Sequence, residues 1–233
     1  MVVGTGNNVP MFRSDEILPP DPEGLDVLHD REYRVRAFRV SSERILIRGA
    51  VRDQKPPGVY LAGDPEPLTM HHMQVDLTLA FPSMVIESAE VVFQAHPHTT
   101  CVDIVDTYQG LVGLSITRGF THKVRELFGG PRGCTHTTAL LLAMGPVATQ
   151  CSWSMYATEA RREGRSFLES RADMTPEQRE MSLRGNLNTC HVWAEDGEMM
   201  TAARAGEPLE MMLQVKKRFA EMGVPEAEWS SRT

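Results

Sequence analysis

Residues 71–81 read HHMQVDLTLAF, and their alternation decides the fold. Met73, Val75, Leu77, Leu79 and Phe81 fall on one side of an extended chain, and His72, Gln74, Asp76 and Thr78 on the other. That is a strand with one buried face. The same period places His71 on the apolar side and His72 on the polar side. Pro82-Ser83 turns the chain, and Val85–Gln94 returns as a second strand. Upstream, Tyr33–Val40 and Arg44–Arg52 are β-like and meet at Ser41-Ser42-Glu43, the pattern of a hairpin. Residues 53–70, broken by Pro56, Pro57, Gly58, Gly63, Pro65 and Pro67, form a long loop. Loops of that length are usually functional or ordered by their own packing.

Downstream the period changes to that of helices. The loop Ala95–Thr100 carries His96 and His98 and leads to Cys101, after which Ile104, Val105, Tyr108, Leu111 and Val112 make an apolar stripe. A short helix capped at Thr121 turns Val124, Leu127 and Phe128 inward and stops at Gly129-Gly130. Cys134 follows Gly133 and opens a long helix from Thr135 to Arg162, kinked at Pro146. Thr175-Pro-Glu-Gln178 is a capping box with proline at the first helical position, and Gly185 is the matching stop. Leu187–Ala194 reads as a strand carrying Cys190 and His191, with Asp196-Gly197 as a hairpin turn into Glu198–Thr201. Pro208–Met222 reads as a terminal amphipathic helix, with Leu209, Met212, Val215, Phe219 and Met222 on one side.

These elements predict an α+β fold, a single domain with an antiparallel β-sheet covered on one face by helices. The sheet is expected from residues 33–94 and 187–201, and the helices from 102–163. An irregular arm (1–30) precedes the domain (31–203), and a helical extension (204–233) follows it.

A chain of 233 residues with 41% hydrophobic content can bury a sizeable core. Its net charge of −7 argues against a nucleic-acid partner. No apolar run approaches the roughly 18 residues of a membrane span, and the first residues lack a signal-peptide pattern. The expectation is a cytoplasmic protein whose four cysteines stay reduced, with a small-molecule substrate and with homo-oligomerisation left open.

The chemistry-bearing residues are cysteines and histidines at the starts of elements. Cys134 lies at a helix N-terminus, where free N–H groups and the helix dipole favour a thiolate, and His136 is beside it. A metal site assembled from His71, Cys101, Cys134 and Cys190, with His136 and His191 as alternates, would suit Zn²⁺ or Fe²⁺. Against this, free cysteine is among the most buried residue types and often simply packs. Packing is the reading for Cys151, which sits mid-helix among Ala148, Trp153 and Met155. A second reading makes Cys134 or Cys190 a nucleophile with a neighbouring histidine as base. Adjacent strand residues point to opposite faces, which disfavours Cys190 with His191 in that role. The loop Gly129–Gly133 lacks the Lys-Ser/Thr of a phosphate loop.

The segment LVGLSITRGFTHKVRELFGGPRGCTH, residues 111–136, resembles a bacterial domain-of-unknown-function family, DUF2889, in which a Leu-x-Gly-Leu-x-Ile segment precedes Val-Arg-Glu and a specific Gly-Cys-Thr-His block. Arg48-Gly49-Ala50-Val51-Arg52-Asp53, Ala89-Glu90 and Asn188-Thr189-Cys190-His191 extend the resemblance over roughly residues 31–200. Where that family shows His-Asp before its methionine, this chain has His71-His72, which leaves open which of the two takes the place of the Asp. The resemblance implies a fold and a site and no reaction. In architecture the chain is also similar to iron–sulfur cluster scaffold proteins, with His71, Cys101 and Cys134 in the order of their ligands; function does not follow from such likeness. Three functions are therefore open: a metal-dependent enzyme of Lewis-acid, hydrolytic or lyase type, a non-catalytic zinc or cluster carrier, and a binding protein with a structural Cys/His site.

Overall fold

In the computed structural model four strands pair antiparallel in the order β1-β2-β3-β4: Asp30–Arg39, Arg44–Lys55, Leu68–Ala80 and Val85–Ala95. The structure describes residue 12 and residues 17–164, 174–207 and 210–229. Of the expected N-terminal arm, most of the first sixteen residues lie outside these, as do Pro208 and Leu209 of the expected terminal helix.

The apolar face forms as the alternation requires. Ile45, Ile47 and Val51 of β2, Met73, Val75, Leu77 and Leu79 of β3, and Ile86 and Val91 of β4 are all buried. The helical layer sits on this face. It comprises a 3₁₀ helix (Thr99–Leu111), α1 (Phe120–Phe128) and α2 (Thr135–Arg162). Leu140, Leu141, Met144 and Ala148 of α2 join the strand residues in one core, with Tyr108, Leu111, Val124 and Phe128. The sheet is thus a half-buried antiparallel one, and the fold class is α+β.

Gly49 is the point of closest approach between the two layers. A Cβ there would stand 3.0 Å from the Met144 sulfur and 3.1 Å from a Leu140 methyl, so the missing side chain lets α2 settle onto β2. The opposite face of the sheet carries charge ladders, Arg48 with Asp76 at 2.6 Å and Arg52 with Glu32 at 2.9 Å. His72 belongs to that side, where it lines a hollow of about 300 Å³ with Glu32, Arg34, Ala50 and Arg52.

Three irregularities interrupt the pairing of β3, the third of them at Thr78 and Leu79, where Glu87 is extra. Asp53 pairs with His71 while Gln54 pairs with Thr69, so Met70 is an extra residue, a bulge. On the other side His72 pairs with Ala95 and Met73 with Phe93, which bulges Gln94. The bulge at Met70 precedes His71 and leaves it in phase with Met73 and Val75. His71 therefore lies on the helix-covered face, directly across from Asp53.

The C-terminal part departs from expectation. Leu187–Ala194 and Glu198–Thr201 form no strands; the first contains a 3₁₀ turn at His191–Trp193 and the second opens helix α4, Glu198–Ala205. Asn188 takes a positive φ of 57°, which breaks an extended run. Gly197 is the residue before α4 rather than half of a hairpin turn. Met, Ala and Arg dominate α4, and their helix propensity outweighs the Asp-Gly signal. With α3 (Pro176–Leu183), whose capping box at Thr175 and Gln178 is formed, α4 builds a second small cluster around Leu183, Met200 and Ala203. The chain continues to α5, Leu213–Glu221. Among the described residues, no helix is long and apolar enough to cross a membrane.

Candidate metal centre

Three side chains converge where the apolar stripe of the sheet runs out under the start of α2. Asp53 comes from the end of β2, His71 from the start of β3 and His136 from the first turn of α2. Asp53 Oδ2 is 2.9 Å from His136 Nε2 and 3.4 Å from His71 Nδ1. The two imidazole rings stack with centroids 3.8 Å apart. Among the described residues, this is the one group of three or more His, Cys, Asp or Glu whose donor atoms all lie within 4.8 Å of one another. Donors bound about 2.0–2.1 Å from one ion stand roughly 2.9–3.4 Å apart, from octahedral to tetrahedral geometry. The two carboxylate–imidazole distances fall in that interval.

The carboxylate is held ionised. Burial alone would push the Asp53 carboxyl up, but the hydrogen bonds and charge of Arg31 outweigh it and hold the group at about 2. Arg31 donates from Nε to Oδ1 at 2.6 Å and from a terminal nitrogen to Oδ2 at 2.7 Å, a bidentate fork. A carboxylate offers about four acceptor positions, so this fork leaves one on each oxygen. His29 approaches Oδ1 at 3.5 Å.

The histidines differ. Burial, followed by the neighbouring His136, pushes the His71 imidazole down and keeps it neutral. Its Nδ1 is buried and faces Asp53 Oδ2 at 3.4 Å without a well-aligned hydrogen bond. His136 is pushed up, first by its hydrogen bond with Cys134. Cys134 Sγ lies 3.7 Å from His136 Nδ1, on the edge of the ring away from Asp53. Burial pushes the Cys134 thiol up, but His136 and the free N–H groups of the first turn of α2 bring it to about 7. Tyr108, fully buried, accepts the Cys134 N–H on its hydroxyl at 2.8 Å and fixes the backbone there.

Of the six residues read from sequence as candidate ligands, the structure brings His71 and His136 together and places Cys134 behind His136. Cys101 is half-buried at the start of the 3₁₀ helix and is not among the converging donors. Cys190 and His191 are exposed beside the second, smaller cluster and are not among them either. Cys151 packs against the main core, and burial pushes its thiol up to about 11. Asp53 is the donor that sequence reading passed over. Its signal was present: it continues the register of Ile45, Ile47 and Val51, which puts a carboxylate on an apolar face.

A family model described as a protein of unknown function, DUF2889, matches residues 29–150. That span contains Asp53, His71, Cys134 and His136. No curated protein and no solved structure was found to match.

Proposed function

The chain belongs to the DUF2889 family, and for it we propose a metal-dependent enzyme acting on a small organic substrate. Asp53, His71 and His136 are its ligands, and the observation that carries this reading is the convergence of their donor atoms, with His71 Nδ1 buried and not satisfied by a well-aligned hydrogen bond. Two histidines and one carboxylate suit Zn²⁺ or Fe²⁺, and three protein ligands leave positions for water and substrate. The ion would supply Lewis acidity or an activated water. The chain's own residues do the rest: Arg31 keeps Asp53 anionic and oriented, the stacked rings present two nitrogens to one point, and the core beneath holds both strands. His71 and His136 keep 23% and 14% of their side chains exposed, which gives a substrate access from solvent. A cluster carrier would draw on several thiolates; the donor set has none, which favours a single ion.

Metal content of protein purified without an affinity tag, measured by mass spectrometry, tests the proposal. One equivalent is expected in the wild type and much less in Asp53→Asn, His71→Ala and His136→Ala. Folded wild-type protein that takes up neither Zn²⁺ nor Fe²⁺ on dialysis would overturn it.

A second reading is favoured by one observation, the chain of contacts Cys134–His136–Asp53, which has the order nucleophile, base and orienting carboxylate. It competes for the same nitrogen, since His136 Nε2 cannot both give a proton to Asp53 and bind an ion. Under that reading His71→Ala leaves alkylation of Cys134 by iodoacetamide unchanged, and the wild type binds no metal.

A further inference from the structure

We propose that Cys134 is a positioning residue of the metal centre: it accepts the Nδ1 proton of His136 and so turns the Nε2 lone pair toward the ion, without itself binding metal. The inference rests on the metal reading above and adds a role to it. A neutral imidazole carries one ring proton, and a nitrogen that ligates cannot hold it. With Nε2 facing Asp53 and His71, the ring proton of a metal-bound His136 must sit on Nδ1. The polar atom facing Nδ1 is Cys134 Sγ, at 3.7 Å. Ligating histidines commonly donate their other N–H to an acceptor that fixes tautomer and ring angle, most often a carboxylate or carbonyl; here a sulfur stands in that place.

The local structure is built to hold that sulfur still. Cys134 precedes the first residue of α2 with an extended backbone, φ −85° and ψ 130°. Its N–H is tied to the buried Tyr108 hydroxyl, so the residue is anchored from a different element. Two residues on, His136 lies one half-turn around the helix start, and its ring lies between Sγ and Asp53. Sγ is on the far edge of that ring, and it is not among the atoms lying within 4.8 Å of one another. The thiol that sequence reading placed among the ligands thus acts through one of them.

Cobalt(II) substitution decides between ligation and positioning, because a cobalt–thiolate bond gives an intense near-ultraviolet charge-transfer band. The wild type is expected to bind one Co²⁺ with ligand-field bands in the visible and no such band. Cys134→Ala is expected to weaken Co²⁺ binding about 10–100-fold with little change in the visible spectrum. Cys134→Ser, whose hydroxyl also accepts, should recover part of the loss. A charge-transfer band that disappears in Cys134→Ala overturns the inference by making Cys134 a ligand. Unchanged affinity in Cys134→Ala also overturns it. A band that survives in Cys134→Ala would mean another cysteine ligates, which overturns the ligand set, and no Co²⁺ binding at all overturns the metal centre itself. If Cys134→Ala fails to fold, the wild-type spectrum still tests ligation, and Cys134→Ser tests positioning: an affinity equal to the wild type's overturns it.

Discussion

Arg31 and Asp53 form a two-pronged ion pair, 2.6 and 2.7 Å, in which the carboxylate is almost wholly buried and the guanidinium is about one-third exposed. The pair links adjacent strands at the end of the sheet where the histidines gather. Removing the cation would leave a buried carboxylate beside two imidazoles. Arg31→Met is therefore expected to destabilise the fold by about 2–3 kcal/mol, below the roughly 3–5 kcal/mol of a fully buried pair because water reaches the arginine. Urea denaturation of the two proteins at pH 7 measures it, and equal midpoints would contradict it.

The same pair sets an acid limit. The Asp53 carboxyl is at about 2 in the folded chain and at the model-peptide value of 3.8 when unfolded. A depressed folded value contributes stability that is complete above the unfolded value and is lost as pH falls through the folded one. About 2 kcal/mol should disappear between roughly pH 4 and 2. Asp53→Asn should flatten that part of the stability profile. A wild-type profile with the same acid slope as the variant would show that other carboxylates carry the effect.

His71 and His72 are adjacent and lie on opposite faces. His71 faces Asp53 and α2, while His72 lines the hollow on the charged side. His71→Ala is expected to abolish metal uptake and His72→Ala to leave it within about twofold, since only the first removes a proposed ligand. Metal content of the two variants checks this. Loss of metal in His72→Ala alone would place the site on the other face.

Gly49 meets Met144 and Leu140 across the layers. Gly49→Val has no room until both side chains and the helix give way. The expected cost is about 1–3 kcal/mol, the range for overpacking a filled core. Because His136 lies one turn ahead of Leu140 on the same helix, metal affinity should fall as well. Thermal unfolding with and without Zn²⁺ separates the two effects, and a variant of unchanged stability would show that the layers have slack.

Cys151→Ser should leave metal content unchanged. Its thiol donates to the Ala148 carbonyl at 3.2 Å, and a hydroxyl can make the same bond, so a cost of about 1 kcal/mol or less comes from burying a more polar atom. Loss of metal in this variant would show that the ligand set is wrong.

What could be read from the chain beforehand follows from how local each signal is. The strands from Tyr33 to Gln94 and the helix from Thr135 to Arg162 announce themselves by period and punctuation, and the structure has them within a few residues. The face of His71 followed from alternation. Asp53 escapes the sequence because the alternation closes the strand at Arg52, three residues short of its end at Lys55, and assigns the carboxylate to a loop. Leu187–Ala194 is ambiguous in sequence because a short apolar run with Asp-Gly after it looks the same before a hairpin as before a helix. Cys134 stands out at the helix start, but which edge of His136 it meets depends on how α2 sits on β2, and no stretch of sequence states that.

The bulge at Met70 acts as a phase break. Beyond it, toward Pro56, Gln54 with Thr69 and Lys55 with Leu68 pair one residue out of phase, so the alternation that turns His71 toward Asp53 starts afresh at that pair. The orientation of the site is thereby insulated from the length of the loop that joins two of its three donors.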